Sequence, residues 1–574
     1  MGRSVPALKC DGRVVTDDVE RAECFSRSFA TKFSDPTVQA LPDCVSYGID
    51  NFNHFTVMHD TVLGIIRSID VHKACGPDGL SARILSECAD ELAVPLTKLC
   101  VLSLSQGKFP TIWKKAHVAP VYKKGDREDP ANYRPVSLLS ICSKVLERVV
   151  CDQLVAHVAP VLSPAQHGFL AGRSCETNLT CLVKQLWDAI AAGHQTDVIY
   201  TDYSSAFTSV NHSLLLHKLH HSYHLSGPAL RWFESYLCGR EQRVVLNGKT
   251  SDWARVVSGV PEGSICGPVL FVLFCNDVPS RLNSSCLMYA DDMKIVRQVR
   301  APDDADDLQT DLDRLSAWSD TWKLKLNPAK CKAITFTLRT KPVTFDYVIH
   351  GTALERVSMI RDLGVLMDSK LTFGPHVDSV VRCANRALGT YLRSLQSSRV
   401  ARGKRFRPAP LITAFNAHVR SVMEFGSVVW AGAANTHLQR LDRVQHKMLM
   451  WLTTHSSKPS QNLDYHHLLS HFSVKSIRTR LLQRDLTYIH SVFSGRVKSA
   501  DIVGMFGLCV PSRRTRGRAI LHEPTARVET VRAGMFCRLP RRINEMYRSM
   551  AGADLFASRG TFMTSLGHFL NSVI

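Results

Sequence analysis

The chain has no C-x-x-C pair, no long apolar run, no internal repeat and no low-complexity tract. Its 18 cysteines are scattered, and even the nearest, Cys142/Cys151, Cys175/Cys181 and Cys266/Cys275, have no histidine at zinc-finger spacing. That excludes a sequence-encoded zinc finger and a disulfide framework, and fits thiols packed as small hydrophobes in a reducing compartment. The longest apolar run, Pro268–Cys275, is far too short to cross a bilayer. Met1–Val5 lacks the apolar stretch of a signal peptide, and Met1-Gly2 followed by Pro6 is a poor myristoylation match. These absences predict a soluble chain of the nucleus or cytoplasm with no membrane partner. Acidic residues are the scarcer charge: 51 Asp+Glu face 71 Lys+Arg, a net +20. Such an excess favours polyanions through phosphate contacts and counterion release. At 574 residues the chain is too long for one core and predicts three or four units at about 150 residues each.

Helical spacing of Ala22, Cys24, Phe25 and Phe29 predicts a helix over residues 13–34, and Asp60–Val71 reads as a second. Turn chemistry fills Lys73–Gly79, and Ser81–Leu104 is helical again. Val118–Tyr122 is a short strand before the basic turn Lys123–Asp126, and Asn132–Leu139 leads into a long amphipathic helix ending near Val158. Helices are expected near 213–224 and 227–238, then a hairpin around Asn247-Gly248, a strong two-residue turn signal. Gly263–Asp277 reads as a buried helix, followed by a helix near 304–323 and strands near 332–337 and 358–366. Beyond about residue 378 the segments turn helical and rich in Arg and Leu, with basic clusters at Arg402–Arg405 and Arg513–Arg518. A small sheet among many helices is an α+β layout.

The most informative stretch is Tyr289-Ala290-Asp291-Asp292, read as a two-carboxylate tip between two short strands. Aspartates are common turn residues, so the pair alone proves little. A third, Asp202, ends another apolar strand, Val198–Thr201. Three carboxylates on adjacent strand tips hold two divalent cations about 3.5–4 Å apart, the geometry of nucleotidyl transfer.

With these, Asn132–Leu139, Gln166–Ser174, Tyr200–Phe207, Ser258–Ser264, Tyr289–Asp292 and Asp362–Val365 follow one another in an order that resembles the reverse transcriptases of non-LTR (LINE-type) retrotransposons, most closely the Jockey-like group. The resemblance is close over about residues 60–450 and implies a right-handed polymerase with fingers, palm and thumb. Its expected layout is an N-terminal extension or linker (1–59), fingers (60–190), palm with part of the fingers (191–345), palm end and helical thumb (346–460), and a basic helical C-terminal region (461–574). It implies RNA-directed DNA synthesis on an RNA template with a DNA primer and dNTPs. Two Mg²⁺ ions, with Mn²⁺ as the alternative, would sit on Asp202, Asp291 and Asp292. Phe207 resembles the aromatic gate that excludes a 2′-hydroxyl. Lys123, Lys124 and Arg134 resemble residues that clamp the triphosphate, the two lysines reading equally well as a solvated turn. Gly263 lies in the nucleotide-contacting segment, Arg173 resembles a template contact or a bland surface arginine, and Lys330 resembles a pyrophosphate-protonating lysine, with Lys325 and Lys332 as competitors. Arg382, Arg386 and Arg393 resemble thumb residues tracking the duplex backbone, the other reading being a surface-charged bundle.

The chain also departs from the family pattern. Glu262 stands where relatives usually carry Gln, which removes an N–H donor and adds charge near a triphosphate. Thr208 replaces a common Asp, and Ser205 a basic residue. The start at Gly12–Asp18 resembles the linker that follows an N-terminal endonuclease, and no RNase H carboxylates follow the thumb. The expectation is a reading frame lacking the endonuclease. Two alternatives remain open: a catalytically impaired nucleic-acid-binding relic, and a group II intron-type maturase, against which the Jockey-like matches argue.

Overall fold

A computed structural model of the chain describes residues 5–397, 405–509, 519–550 and 554–572. Its centre is a five-stranded sheet in the order Glu355–Val357, Lys332–Phe336, Gln195–Thr201, Asp292–Val299, Ser285–Tyr289. The first two strands run parallel and the other neighbours antiparallel. Alternate residues of the middle strands enter different cores. Ile199, Ile295 and Ala333 join an apolar cluster with helices Cys266–Cys275 and Pro302–Thr321. Val198, Val296 and Ile334 join a second with helix Cys175–Ala191 and the C-terminal helices Ile477–Phe493 and Met535–Ser549. A strand buried on both faces shows an apolar run instead of alternation, as Val198-Ile199 and Ile295-Val296 do.

A second sheet joins Tyr133–Leu138, Lys115–Tyr122, Arg240–Leu246 and Lys249–Thr250, with Ala254–Val256 also paired to Arg240–Leu246. The hairpin at Asn247-Gly248 has positive φ at both turn residues, as its sequence predicts. Tyr133–Leu138 is a strand, and the long helix starts only at Ile141, capped by Ser140. Its register sets Pro135 opposite Pro120. Neither can donate to the ladder, which a strand tolerates at a sheet edge.

The N-terminal helix spans Asp18–Ala30 with Asp17 as its cap, and Arg13–Val15 is a strand paired with Leu8–Cys10. The turn Asp11-Gly12 has positive φ at both residues and makes a hairpin of what helical spacing alone had claimed. The helix shares a core with the second sheet through Phe25, Phe29, Val118, Tyr133 and Val244. The segment from Ser81 divides into Ala82–Glu87 and Ala89–Gln106 at Cys88, and the stretch near 358–366 is the hairpin Met359–Asp362 and Val365–Asp368. The basic clusters at Arg402–Lys404 and Arg513–Arg518 lie outside the described residues.

One charged pair sits inside the central sheet. Lys294 is 1% exposed and Asp362 5%. The Lys294 ammonium donates to Asp362 Oδ2, which also accepts the Tyr200 hydroxyl at 3.0 Å. Breaking a buried pair leaves an uncompensated charge and costs about 3–5 kcal/mol, whereas replacing both partners by apolar groups is far cheaper. Lys294→Met is therefore expected to lower unfolding stability by roughly that amount in urea titration, and Lys294→Met with Asp362→Leu to recover most of it.

Candidate active site

The hairpin carrying the acidic tip turns on two residues, Ala290 and Asp291, because Asp292 already pairs with Tyr289. Asp292 thus starts the returning strand, and only Asp291 stands at the turn. The register Met293↔Thr201 brings the next residue of the central strand, Asp202, to the same sheet end. Burial raises the Asp291 carboxyl above the usual range, and the negative charge of Asp202 raises it further. The Asp292 carboxyl is pushed up to about 6 by the desolvation of its surroundings, then by Asp291, Asp362 and Asp202, although its side chain keeps an exposed edge. Asp202 Oδ2 accepts from Lys330 Nζ at 3.1 Å, which puts this lysine, rather than Lys325 or Lys332, against the carboxylates. Lys332 pairs instead with Glu355. Among the described residues no three or more His, Cys, Asp or Glu side chains are grouped so that they could hold a metal ion. The three aspartates share a sheet end and sense one another without forming such a group.

The turn is braced from Gln166–Phe169. Met288 N donates to Ala165 O and His167 N to Met288 O, both at 2.8 Å. The Gln166 side-chain oxygen accepts from Ala290 N at 2.9 Å and from Gly168 N at 2.8 Å. Ala290 has φ +57°, a left-handed conformation that costs a non-glycine residue about 1–3 kcal/mol unless its surroundings hold it. A Cβ at Gly168 would lie 2.6 Å from Ala290 N, so glycine is what allows this approach.

Phe207 is the second residue of the short helix Ala206–Ser209 and stacks on Phe271 at 4.5 Å between centroids, with Phe169 edge-on at 6.1 Å. Val260 N donates to Phe207 O at 2.8 Å, tying this helix to the Ser258–Ser264 loop. The loop is held at its far end by Glu147, a fully buried carboxylate that accepts from Ile265 N at 2.7 Å and Cys266 N at 3.2 Å. Gly263 has φ +106°, and a Cβ there would meet Ser137 O at 2.6 Å. Glu262 accepts from Ser137 N through its backbone oxygen at 2.9 Å. Burial raises its carboxyl; Arg134, Lys32 and Lys123 counter that, and Asp291 adds to it. The same Arg134 and Lys123 act on Asp291. Lys123, Arg134 and Glu262 therefore face the aspartates, whereas Lys124 is exposed and makes no ion pair or side-chain hydrogen bond among the described residues.

Four further residues of the site take their roles only from long-range contacts. Lys32, just past the N-terminal helix, donates to Tyr133 O at 3.1 Å and lies near Glu262. Gln166 sits inside a recognisable segment, but its bond to the acidic turn is long-range. Lys294 and Asp362 are brought beneath Asp292 only by the sheet and the 359–368 hairpin.

Arg173 is half-buried, and its guanidinium donates to the carbonyls of Ser163, Pro164, Gln166 and Lys498, which braces the loop that holds the turn. Arg382, Arg386 and Arg393 are exposed along helix Gly374–Ser397, opposite the buried Val377, Val381, Ala384 and Leu388.

A small antiparallel sheet ending in three aspartates, backed by helices and flanked by a second sheet and long helices, defines a right-hand polymerase. Residues 121–364 match the family described as reverse transcriptase (RNA-dependent DNA polymerase). Its relatives come from non-LTR retrotransposons. It is 27% identical over 483 residues to the probable RNA-directed DNA polymerase from transposon BS of Drosophila melanogaster, covering 79% of this chain and 51% of that protein. It is 28% identical over 471 residues to the corresponding protein of transposon X-element, with the same shares. Against the RNA-directed DNA polymerase from mobile element jockey of the same fly, identity is 26% over 403 residues, 68% of this chain and 43% of that protein. The chain spans about half the length of the first two. The reverse transcriptase family generally uses divalent metal ions. Among the described residues no helix is long and apolar enough to cross a membrane.

Gln166→Met is expected to leave the amide of Ala290 unpaired. An orphaned buried donor costs about 1–3 kcal/mol, so hydrogen exchange at Ala290 should speed up by about 10–100-fold while the central strand keeps its protection.

Proposed function

We propose that this chain is an RNA-directed DNA polymerase that extends a primer 3′-hydroxyl with dNTPs on an RNA template. The observation that carries the reading is the register that brings Asp202 beside Asp291 and Asp292 within a reverse transcriptase domain. The donor set is all carboxylate oxygen, the ligand type of hard divalent cations, and the Asp292 carboxyl, raised first by burial, is raised further by the charges of Asp291, Asp362 and Asp202. Asp202, Asp291 and Asp292 are the residues that would hold a pair of Mg²⁺ ions, with Mn²⁺ as the alternative. When bound, such ions lower the pKa of the attacking hydroxyl and neutralise the leaving pyrophosphate. The chain's own groups position and balance charge. Arg134 and Lys123 face the triphosphate, Lys124 adds charge at the solvent side, and Gly263 lets the backbone approach. Phe207, backed by Phe271, blocks a 2′-hydroxyl. Lys330, against Asp202, supplies a proton to the leaving pyrophosphate. Arg382, Arg386 and Arg393 follow the duplex backbone, and Arg173 supports the template-side loop. The ranges 60–190, 191–345 and 346–460 serve as fingers, palm and thumb.

Glu262 favours a second reading, a nucleic-acid-binding relic of impaired turnover. Its carboxylate draws on Arg134, Lys123 and Lys32, the cations a triphosphate needs. Primer extension on poly-rA with Mg²⁺ separates the two: activity lost in Asp291→Asn supports the polymerase, and no difference between wild type and that variant supports the relic. Because burial raises the Glu262 carboxyl, lowering the pH protonates it sooner than an ordinary exposed carboxylate and removes its charge. The wild-type KM for dTTP is expected to rise with pH, and Glu262→Gln to lower KM at high pH and flatten that dependence.

Phe207→Ala is expected to raise incorporation of UTP relative to dTTP by about 10–100-fold, the range a pocket wall gives for excluding one small group. An unchanged ratio would remove Phe207 from the gate.

A further inference from the structure

On the far side of the loop that braces Asp291, the chain forms a cleft of about 450 Å³ between helix Cys175–Ala191 and the C-terminal helices Ile477–Phe493 and Arg559–Ser572. Five arginines line it, Arg173, Arg480, Arg484, Arg496 and Arg559, against one carboxylate, Glu176. Arg484 is paired with Glu176 at 2.6 Å, and Arg480 with Glu424 outside the lining at 2.9 Å. Arg496 and Arg559 are exposed and make no side-chain hydrogen bond or ion pair among the described residues. The cleft therefore carries uncompensated positive charge at its mouth over a polar wall. Tyr488, its aromatic lining residue, is buried with its hydroxyl 2.9 Å from Thr180 Oγ1, so it offers no face for a base. Such a surface reads a charged backbone and ignores base identity.

The cleft is coupled to the catalytic turn by a short path. Lys498 N donates to Gly172 O at 2.9 Å, and a Cβ at Gly172 would lie 2.5 Å from Lys498 Cγ, so the 496–498 turn is seated on the 166–173 loop. The same loop presents Gln166 to Ala290.

We infer that this arginine-lined cleft is a second nucleic-acid site, which takes the phosphodiester backbone of single-stranded RNA where it continues beyond the catalytic cleft. The inference rests on the polymerase reading for its choice of RNA. Backbone contacts fit the free arginines, and the Ser174, Gln483 and Ser491 side chains along the wall suit 2′-hydroxyls. A strand held there has its register set without sequence preference.

The test is equilibrium binding of a mixed-sequence 30-nucleotide RNA across a salt series, using the full chain as wild type, Arg496→Gln with Arg559→Gln, and Arg496→Lys with Arg559→Lys. Losing two phosphate contacts is expected to weaken binding about tenfold at low salt and to reduce the slope of log K against log salt by about 1.4. The lysine pair should keep the wild-type slope. Unchanged slope and affinity in the glutamine pair overturn the proposal. So does a single-stranded DNA of equal length bound in preference to the RNA, or displacement of the RNA by dTTP alone. Thermal unfolding of the same variants shows whether a loss reflects folding, and a slope loss without a stability loss is the supporting result. Binding needs no turnover, so the cleft is read even in a chain that fails primer extension.

Discussion

Carboxylates gathered at one sheet end repel each other, and the rest of the structure is arranged around keeping Asp202, Asp291 and Asp292 together. The antiparallel register fixes the spacing of Asp202 and Asp292 through backbone bonds that no side-chain charge can loosen cheaply. Gln166 fixes the turn from outside the sheet. Beneath Asp292, Asp362 would add a further negative charge, and Lys294 answers it within the core. A charged pair is a poor source of stability compared with apolar packing. Its effect here is positional, because it lets an aspartate and a tyrosine hydroxyl sit under an acidic site without their charge going unmatched.

The cationic side of the site comes from three distant parts of the chain. Lys123 and Arg134 flank a strand pair of the second sheet, Lys32 follows the N-terminal helix, and Lys330 follows the long helix behind the central sheet. The N-terminal helix is therefore more than a lead-in segment: its apolar face completes the second sheet's core while its end delivers a cation beside Glu262. Glu262 is the discordant member. Its backbone keeps the bond to Ser137 that seats the loop, and its side chain spends charge from the cations around it.

What the sequence made legible follows from the range of each interaction. Asp202, Asp291, Phe207 and the Ser258–Ser264 loop lie in short segments whose order is itself the signal, and the Asn247-Gly248 hairpin announces itself by turn chemistry. The strand Tyr133–Leu138 is hidden in the sequence because a proline and an exposed arginine do not read as a ladder, and because its partner is a separate segment. Arg13–Val15 was absorbed into a helix because the Asp11-Gly12 turn signal was outweighed by helical spacing downstream. Lys32, Gln166, Lys294 and Glu147 carry no periodicity that marks a site. Their roles exist only once long-range pairing has formed.

That dependence runs through both cores. Val198, Val296 and Ile334 of the catalytic sheet pack in the same cluster as Leu486, Ile489, Leu539 and Phe569 of the C-terminal helices. Tyr488 meets Thr180 on the helix behind the sheet, and Arg538 joins Asp485 to the carbonyl of Val428. A sheet with two buried faces needs apolar cover on each. Helices Cys266–Cys275 and Pro302–Thr321 cover one face from within the matched reverse transcriptase segment, but cover for the other comes in large part from residues beyond 364. The family segment taken alone would expose that face to water. The C-terminal helices are therefore part of what holds the acidic sheet end in register, and the loop they seat at Gly172 passes the same constraint to Gln166 and the turn at Asp291.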